Sequence, residues 1–208
     1  MTTLVAGILG CLSKDIKLPE PDMNQESATV VEALAKRHSV REFSDRKLTT
    51  QELSNLCWAA CGVSRNENFR TAPTAMNSKE IRLYVFTDES VYEYLPTENR
   101  LRHCAKGDQR MLIAGSGKGF VQDFVLKAPV SLVMVIDFDK FTVKGDNALM
   151  MGCVDAGNVS ENINLFCQSV GMATVPRATM DVEGIRKLLG LSDQQLPVMN
   201  NPVGFPAE

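Results

Sequence analysis

The run Arg37-His38-Ser39-Val40-Arg41-Glu42-Phe43 sets two arginines around a serine, directly after a short amphipathic stretch. Guanidinium groups grip phosphate through forked, charge-assisted hydrogen bonds. A hydroxyl and the backbone N–H groups of a turn can fill the remaining acceptor sites of the same anion. These residue types at this spacing point to a phosphate ester. The same residues also suit a solvated basic helix end, where cations meet the negative pole of the helix dipole. The run alone leaves both uses open.

Other chemical constellations are incomplete. Gly115-Ser116-Gly117-Lys118-Gly119 looks like a phosphate loop, but Leu112 stands where the first glycine is needed and Gly119 where a serine or threonine is needed. No glycine-type dinucleotide fingerprint, nucleophile elbow or HExxH motif occurs. His38 and His103 have no evident acidic partner in sequence, and Asp155 reads as a cap partner or surface group of a long helix. Six cysteines do not make a disulfide scaffold at this length. Cys57 and Cys61 share a helix face and His103-Cys104 is the other soft pair, so buried free thiols are expected rather than a zinc site. An enzyme with this inventory needs a cofactor to carry the chemistry.

At 208 residues the chain suits one domain with a sizeable core, and 44% hydrophobic with 23% charged residues is ordinary for a globular protein. A net charge of −3 provides no broad basic field, which argues against nucleic acid as a main partner. Residues 4–12 are apolar, and Gly10-Cys11 faintly resembles a lipoprotein cleavage site. No lysine or arginine precedes that run, and it is too short to span a bilayer. Residues 1–26 are therefore expected to be an N-terminal arm or a remnant export signal, and residues 27–208 the domain proper. A cytoplasmic location is expected, with export or a lipid anchor as the alternative.

The elements that must position these residues follow from periodicity. Residues 27–36 predict a helix with Val30, Val31, Leu34 and Ala35 on one side. Thr49 with Glu52 is a capping-box pattern opening a helix that Gly62 ends. Residues 82–87 alternate as a strand, with 91–94 as its hairpin partner, and residues 101–119 read as a polar surface excursion. The apolar run 130–136 predicts a buried central strand. Residues 146–170 predict a long helix whose Gly152, Ala156 and Gly157 permit close approach, stopped by Gly171. A strand edge at Thr174-Val175, a helix capped by Asp181 and a last strand over 196–205, interrupted by Pro202, complete an α+β order.

Taken in order, these motifs resemble the nitroreductase family of flavin enzymes. The run Arg37 to Phe43 is similar to its opening signature: Arg, a Ser two later, a basic residue two after that, then an aromatic. Ala72-Pro73-Thr74-Ala75-Met76-Asn77-Ser78 resembles its Pro-Ser-x-x-Asn loop. Gln122 with Ala128-Pro129 resembles its middle segment, and residues 155–171 its core helix. Val175-Pro176-Arg177-Ala178 falls where the family runs its backbone past the flavin, and Val203-Gly204-Phe205-Pro206 resembles its closing Val-Gly-Tyr-Pro. The likeness covers about residues 28–206. Residues 58–63, 70–73 and 91–94 look most like the branch that includes azoline-oxidising peptide dehydrogenases.

The resemblance implies a mixed, mainly antiparallel sheet packed against helices, with a long central core helix. It also implies a homodimer with FMN at the subunit interface. Arg37, Ser39 and the His38 backbone would take the phosphate and ribityl end. Arg41 would reach the N1–O2 edge of the flavin, where a cation stabilises the anionic reduced ring. Pro73, Thr74 and Asn77 would come from the other subunit. Gln122, Pro176, Arg177 and Ala178 would complete the site, a backbone N–H bonding flavin N5. No basic residue follows Lys187, so the late cation of many relatives is missing, and Arg177 is the candidate to compensate. The implied activity is hydride transfer from NAD(P)H through FMN to a small electron-poor acceptor such as a nitroaromatic or quinone. The alternatives are a flavin-dependent dehydrogenase or oxidase of a peptide azoline or small metabolite, and a weakly catalytic flavin-binding dimer.

Overall fold

The computed structural model describes residues 14–117 and 119–207, so the apolar run at residues 4–12, Gly10-Cys11 and Lys118 lie outside the described residues. The N-terminal half contains β1 (Ile16–Lys17), α1 (Val30–Lys36), α2 (Thr50–Cys61), β2 (Ile81–Thr87), β3 (Ser90–Leu95) and β4 (Arg100–Lys106). Two short helices follow, α3 (Met111–Ala114) and α4 (Phe124–Lys127), and then β5 (Val130–Asp137). The remainder is α5 (Asp146–Ser169), β6 (Ala173–Thr174), α6 (Val182–Leu189) and β7 (Gln195–Gly204). The strands form one sheet in the order β1-β4-β3-β2-β5-β7-β6, with every neighbouring pair antiparallel. This is the expected α+β architecture.

Strand β5 explains the layering. All of its residues are buried. Leu132, Met134 and Ile136 pack on one face with Leu56 and Cys57 of α2 and Ala156, Val159 and Ile163 of α5. Val133 and Val135 pack on the other face with Ile113, Val125 and Ile185 of the shorter helices. A strand covered on both faces must be apolar at every position, which is why its sequence is continuous rather than alternating. Helix α5 closes on this strand at Gly152, where an added Cβ would sit 2.7 Å from Ile136 Cδ1. Gly157, by contrast, has nothing within 4 Å of such a Cβ.

Both predicted capping boxes form, Thr29 with Glu32 at α1 and Thr49 with Glu52 at α2. The first one starts α1 at Val30, later than residue 27. The apolar side of α1 faces outward: Val30, Val31 and Leu34 are exposed and Ala33 is its buried residue.

The segment expected as a polar excursion over 101–119 is instead strand β4 followed by α3. Its charges mask a strand because they are cross-strand partners. Arg102 lies opposite Glu93 and bonds it, and Arg82 bonds the same carboxylate from β2. The arm is also tied to this chain. β1 pairs with β4, Leu18 is buried, and Ser54 Oγ donates to the Pro19 carbonyl at 2.5 Å. Pro202 does not interrupt the last strand, which runs unbroken to Gly204. The register irregularity falls between Met199 and Pro197, where a bulge tolerates the missing donor of a proline.

The contact at Gly152 leaves no room for a branched side chain. Gly152→Val is expected to destabilise the fold by about 2 kcal/mol through overpacking against Ile136. Urea denaturation of the purified protein measures it.

Candidate functional site

The Arg37–Phe43 run is extended and stitched to the sheet at several points. The Val40 amide donates to the Thr174 carbonyl at 3.0 Å, Ser44 N to Phe205 O at 2.9 Å, and Ala207 N to Glu42 O at 3.2 Å. Phe43 anchors it, packing with Ala128 and Ala173. Gly204 permits that anchor, since a Cβ there would lie 3.0 Å from Phe43 Cδ1 and 2.7 Å from Pro129 Cδ. The turn between α1 and Phe43 is thereby held over the end of α5. It opens a cleft of about 560 Å³ lined by His38, Ser39, Arg41, Gln168, Gly171 and Met172, among others. That volume is within the range of small-molecule sites, roughly 300–1,000 Å³. His38 Nδ1 lies 2.9 Å from the Lys36 carbonyl, which puts a ring proton on Nδ1. Arg37 is not part of the lining; its Nε lies 3.9 Å from Glu161 Oε1 in an exposed pair that contributes little.

Arg177 points inward and is buried. Its Nε and Nη2 both donate to Gln122 Oε1, at 2.9 and 2.7 Å, and its Nη1 donates to Asn200 Oδ1 at 2.7 Å and to the Ile113 carbonyl at 3.1 Å. The backbones of Arg177 and Asn200 also exchange hydrogen bonds at 2.8 and 2.7 Å. All these partners are neutral. Burial lowers the Arg177 guanidinium to about 10, and the neighbouring charge of Arg41 pushes in the same direction. No carboxylate bonds Arg177 among the described residues. Gln122 has its oxygen committed to Arg177, so its amide nitrogen is the group left to meet a ligand. Pro176 is half-buried; Ala178 is exposed, and its amide forms no hydrogen bond among the described residues.

Pro73, Thr74 and Asn77 sit elsewhere on the same chain. Their loop lies against the middle of α5, where the Ala75 amide donates to Asp155 Oδ2 at 2.7 Å. The cleft lies at the end of α5, at Gln168. By helix rise the two places are about 20 Å apart. One chain therefore places His38, Ser39 and Arg41 in the cleft, sets Gln122 on the buried Arg177 between Pro176 and Ala178 outside that lining, and leaves Pro73, Thr74 and Asn77 at another place. Pro73 and Asn77 are exposed, and Thr74 is partly so.

Some residues escaped the sequence reading. Asp155 is a buried cap partner rather than a surface group, since it accepts the first amide of the turn at Ala75–Asn77, and Glu80 is fully buried. Asn200 holds Arg177 and Gln168 lines the cleft. The adjacent polar pair Asn200-Asn201 inside an otherwise apolar strand was the available signal. The Gly115–Gly119 segment is no phosphate cradle as far as it is described: Gly115 bridges to Val121, and a Cβ on Gly117 would meet Asp181 Oδ1 at 2.9 Å. Cys57 and Cys61 are fully buried, and burial pushes Cys61 up to about 12 and Cys57 well above its usual range, so both stay thiols.

Residues 34–205 match the profile of the Nitroreductase family. A nitroreductase homologue of Methanocaldococcus jannaschii is 30% identical over 93% of this chain and 98% of its own length. The FMN reductase [NAD(P)H] of Bacillus subtilis is 22% identical over 86% of this chain and 66% of its own length. Among solved structures, a nitroreductase homologue from Ralstonia eutropha superposes with a TM-score of 0.84 at 28% identity, over 96% of this chain and 93% of that one. A chain of the E. coli microcin synthetase complex shares the fold alone, with a TM-score of 0.68 at 18% identity over 80% of this chain and 68% of that one.

Asn200 accepts from Arg177 and donates to the Thr179 carbonyl at 3.1 Å. Asn200→Ala is expected to cost roughly 2 kcal/mol, because it leaves a buried donor and a buried acceptor unpaired. Chemical denaturation at neutral pH reads the loss.

Proposed function

Because this chain belongs to the nitroreductase family, we propose that it is an FMN-dependent oxidoreductase that works as a homodimer. In this reading NAD(P)H and a proton deliver two electrons to a small electron-poor acceptor, such as a quinone or a nitroaromatic. FMN, when bound, supplies the hydride acceptor and donor. The observation that carries the reading is the donor-rich end of the fold. Ser39 and Arg41 line the cleft there, the strand edge bonded to Val40 at Thr174 leads on to Arg177 and Ala178, and the buried Arg177, held by Gln122 and Asn200, has only neutral partners. Such a set favours an anionic, acceptor-rich ligand.

The residues divide the work. Ser39 and the turn backbone bind the phosphate end, with Arg37 at the rim. Arg41 and the Gln122 amide orient the polar edge of the ring. Pro176 and Ala178 line its face, and the Ala178 amide offers a donor. Arg177 is a positioning residue rather than a substitute phosphate ligand, since its guanidinium is already bonded inward.

The dimer has its own support. A seven-residue helix with one buried side chain is marginal alone, yet α1 exposes Val30, Val31 and Leu34. Helix α5 likewise exposes Met150 and Val154 at helical spacing. Covering each such side chain contributes about 1.5–3 kcal/mol. A second copy would also bring Pro73, Thr74 and Asn77 to the cleft that this copy leaves half built. No helix among the described residues is long and apolar enough to cross a membrane. A cytoplasmic location, where nicotinamide donors are found, goes with this reading.

The purified protein is expected to be yellow, or to gain flavin absorbance on adding FMN, and to bleach on anaerobic mixing with NADPH. A protein that takes up no FMN ends the proposal; one that binds FMN but does not bleach points to a dehydrogenase or oxidase of a peptide or small metabolite. Gln122→Glu places a carboxylate against Arg177 and is expected to weaken FMN binding by about tenfold, roughly 1.4 kcal/mol, in a fluorescence titration. Val31→Asp with Leu34→Asp is expected to convert the dimer to monomer in sedimentation velocity and to lower FMN occupancy with it.

A further inference from the structure

We propose that Glu80 and Asp155 share one proton and, through it, act as positioning residues for the loop that presents Thr74 and Asn77. The consequence for the cofactor rests on the proposed function; the shared proton does not. Glu80 stands at the start of β2 and is fully buried. Asp155 comes from the middle of α5 and is buried as well. Both carboxyl groups reach the same short turn, Asp155 at the Ala75 amide and Glu80 at the Ser78 hydroxyl, whose oxygen also lies 2.7 Å from the Ala75 carbonyl.

The donors there do not suffice for two carboxylates. Asp155 Oδ2 accepts the Ala75 amide at 2.7 Å. Ser78 Oγ, with a single proton, lies 2.6 Å from Glu80 Oε2 and 2.7 Å from the Ala75 carbonyl, which also accepts the Ser78 amide at 3.1 Å. Glu80 Oε1 is buried with no hydrogen-bond partner. An acceptor with no donor, placed against a second carboxylate, is the arrangement that one proton completes. Burial, with Asp155 beside it, pushes Glu80 up to about 7. The other charged groups on the surrounding elements are Lys79 and Arg70, which line a small cavity with Thr74, and Asp137, whose amide bonds the Glu80 carbonyl. None of these bonds the Glu80 carboxyl among the described residues.

The pair is tied to the loop at both ends, by Ala75 to Asp155 and by Ser78 to Glu80. Between these tethers the backbone is held in an unfavourable shape: Met76, Asn77 and Lys79 have φ of 54°, 53° and 53°. Non-glycine residues enter this left-handed region at a cost that surrounding contacts must offset. Within the loop, Lys79 N bonds Thr74 Oγ1 at 3.1 Å and Asn77 N bonds the Thr74 carbonyl at 3.0 Å. Thr74 and Asn77, two of the three residues assigned to the partner's cleft, thus depend on the two tethers.

The sign of the pH effect follows from the raised value. The closed loop binds a proton that the open loop, with an ordinary glutamate, releases. Closure is favoured at low pH and weakens as pH rises through about 7. Between about pH 6 and about pH 8.5 the ratio of closed to open loop falls by about tenfold, from an open-loop value of 4.5 and a closed one of about 7.

Hydrogen exchange of residues 74–79 in the full-length protein, corrected for intrinsic rates, tests this without flavin. Protection of the Ala75 amide is expected to fall about tenfold over that range. In Glu80→Gln the side-chain amide donates to Asp155 at every pH, so protection should stay flat; in Asp155→Asn the new amide donates to Glu80, so the fall should move to lower pH, and this variant serves if the first does not fold. A flat wild-type profile, or a variant that keeps the full fall over that range, overturns the proposal. FMN dissociation constants at the same pH values form the second arm. The ratio of wild type to Glu80→Gln cancels the titration of the FMN phosphate and should change with the exchange profile; a constant ratio overturns the positioning role. Exchange that behaves as expected in a protein that binds no FMN supports the shared proton and fails only the functional reading.

Discussion

The closure of α5 on β5 at Gly152 is the contact from which the rest of the molecule takes its position. With no side chain there, the helix backbone comes down onto Ile136, and a 24-residue rod is fixed across the sheet. Everything proposed as functional is then referenced to that rod. Asp155 holds the 74–79 loop, Asn162 bonds the Ala59 carbonyl of α2 at 3.0 Å, and Ser160 and Asn164 engage Asn201 of β7. Ser169 receives the Ala28 amide at 2.8 Å, just before α1, and Gln168 forms part of the cleft. A rigid element of this length can separate two half-sites while keeping their relative position defined, which a loop cannot do.

Two buried charges on this frame are handled in opposite ways. Arg177 keeps its charge because a guanidinium loses its proton only at high pH, and it is surrounded by oriented neutral acceptors. That leaves a buried cation toward the end of the fold where Arg41 stands beside Glu42 in the cleft lining. Glu80 has a cheaper option, since a carboxyl can become neutral near pH 7 and spare the desolvation of a second anion. In the proposed reading the cleft at one end of α5 takes an anion, while the carboxyl pair at its middle carries one negative charge instead of two. The distribution would be incoherent for one isolated chain. It becomes coherent if the loop held by the carboxyl pair serves the cleft of a second copy.

Much of the fold was legible in the residues. The capping boxes of α1 and α2, the doubly covered strand β5 and the long helix α5 rest on interactions within a few residues, or on apolar patterning that admits one environment. Strand β4 was hidden because Arg102 and Arg82 satisfy Glu93 across strands, and charge pairs between strands look like solvent-exposed charge in one dimension. The break expected at Pro202 failed because the bulge that relieves β7 lies at Pro197–Met199 instead. For the site, the Arg37–Phe43 run suggested an anion site by its residue types and spacing and Ala178 entered only through the family resemblance, whereas the surroundings of Glu80, Asp155 and Asn200 were not legible.

The sequence by itself determined the family, the class of fold and the kind of donors available: arginines, a hydroxyl and amides. Only the tertiary structure decided which way these groups face. It turned Arg177 inward onto Gln122 and Asn200, turned the apolar side of α1 outward, and set Asp155 against Glu80. The physical reason is that capping and periodicity act over one or two helical turns, while burial and hydrogen-bond partnership depend on residues far apart in the chain. Whether a charge is solvated, paired or neutralised is a property of those distant partners, so it emerges only when the sheet and α5 have come together.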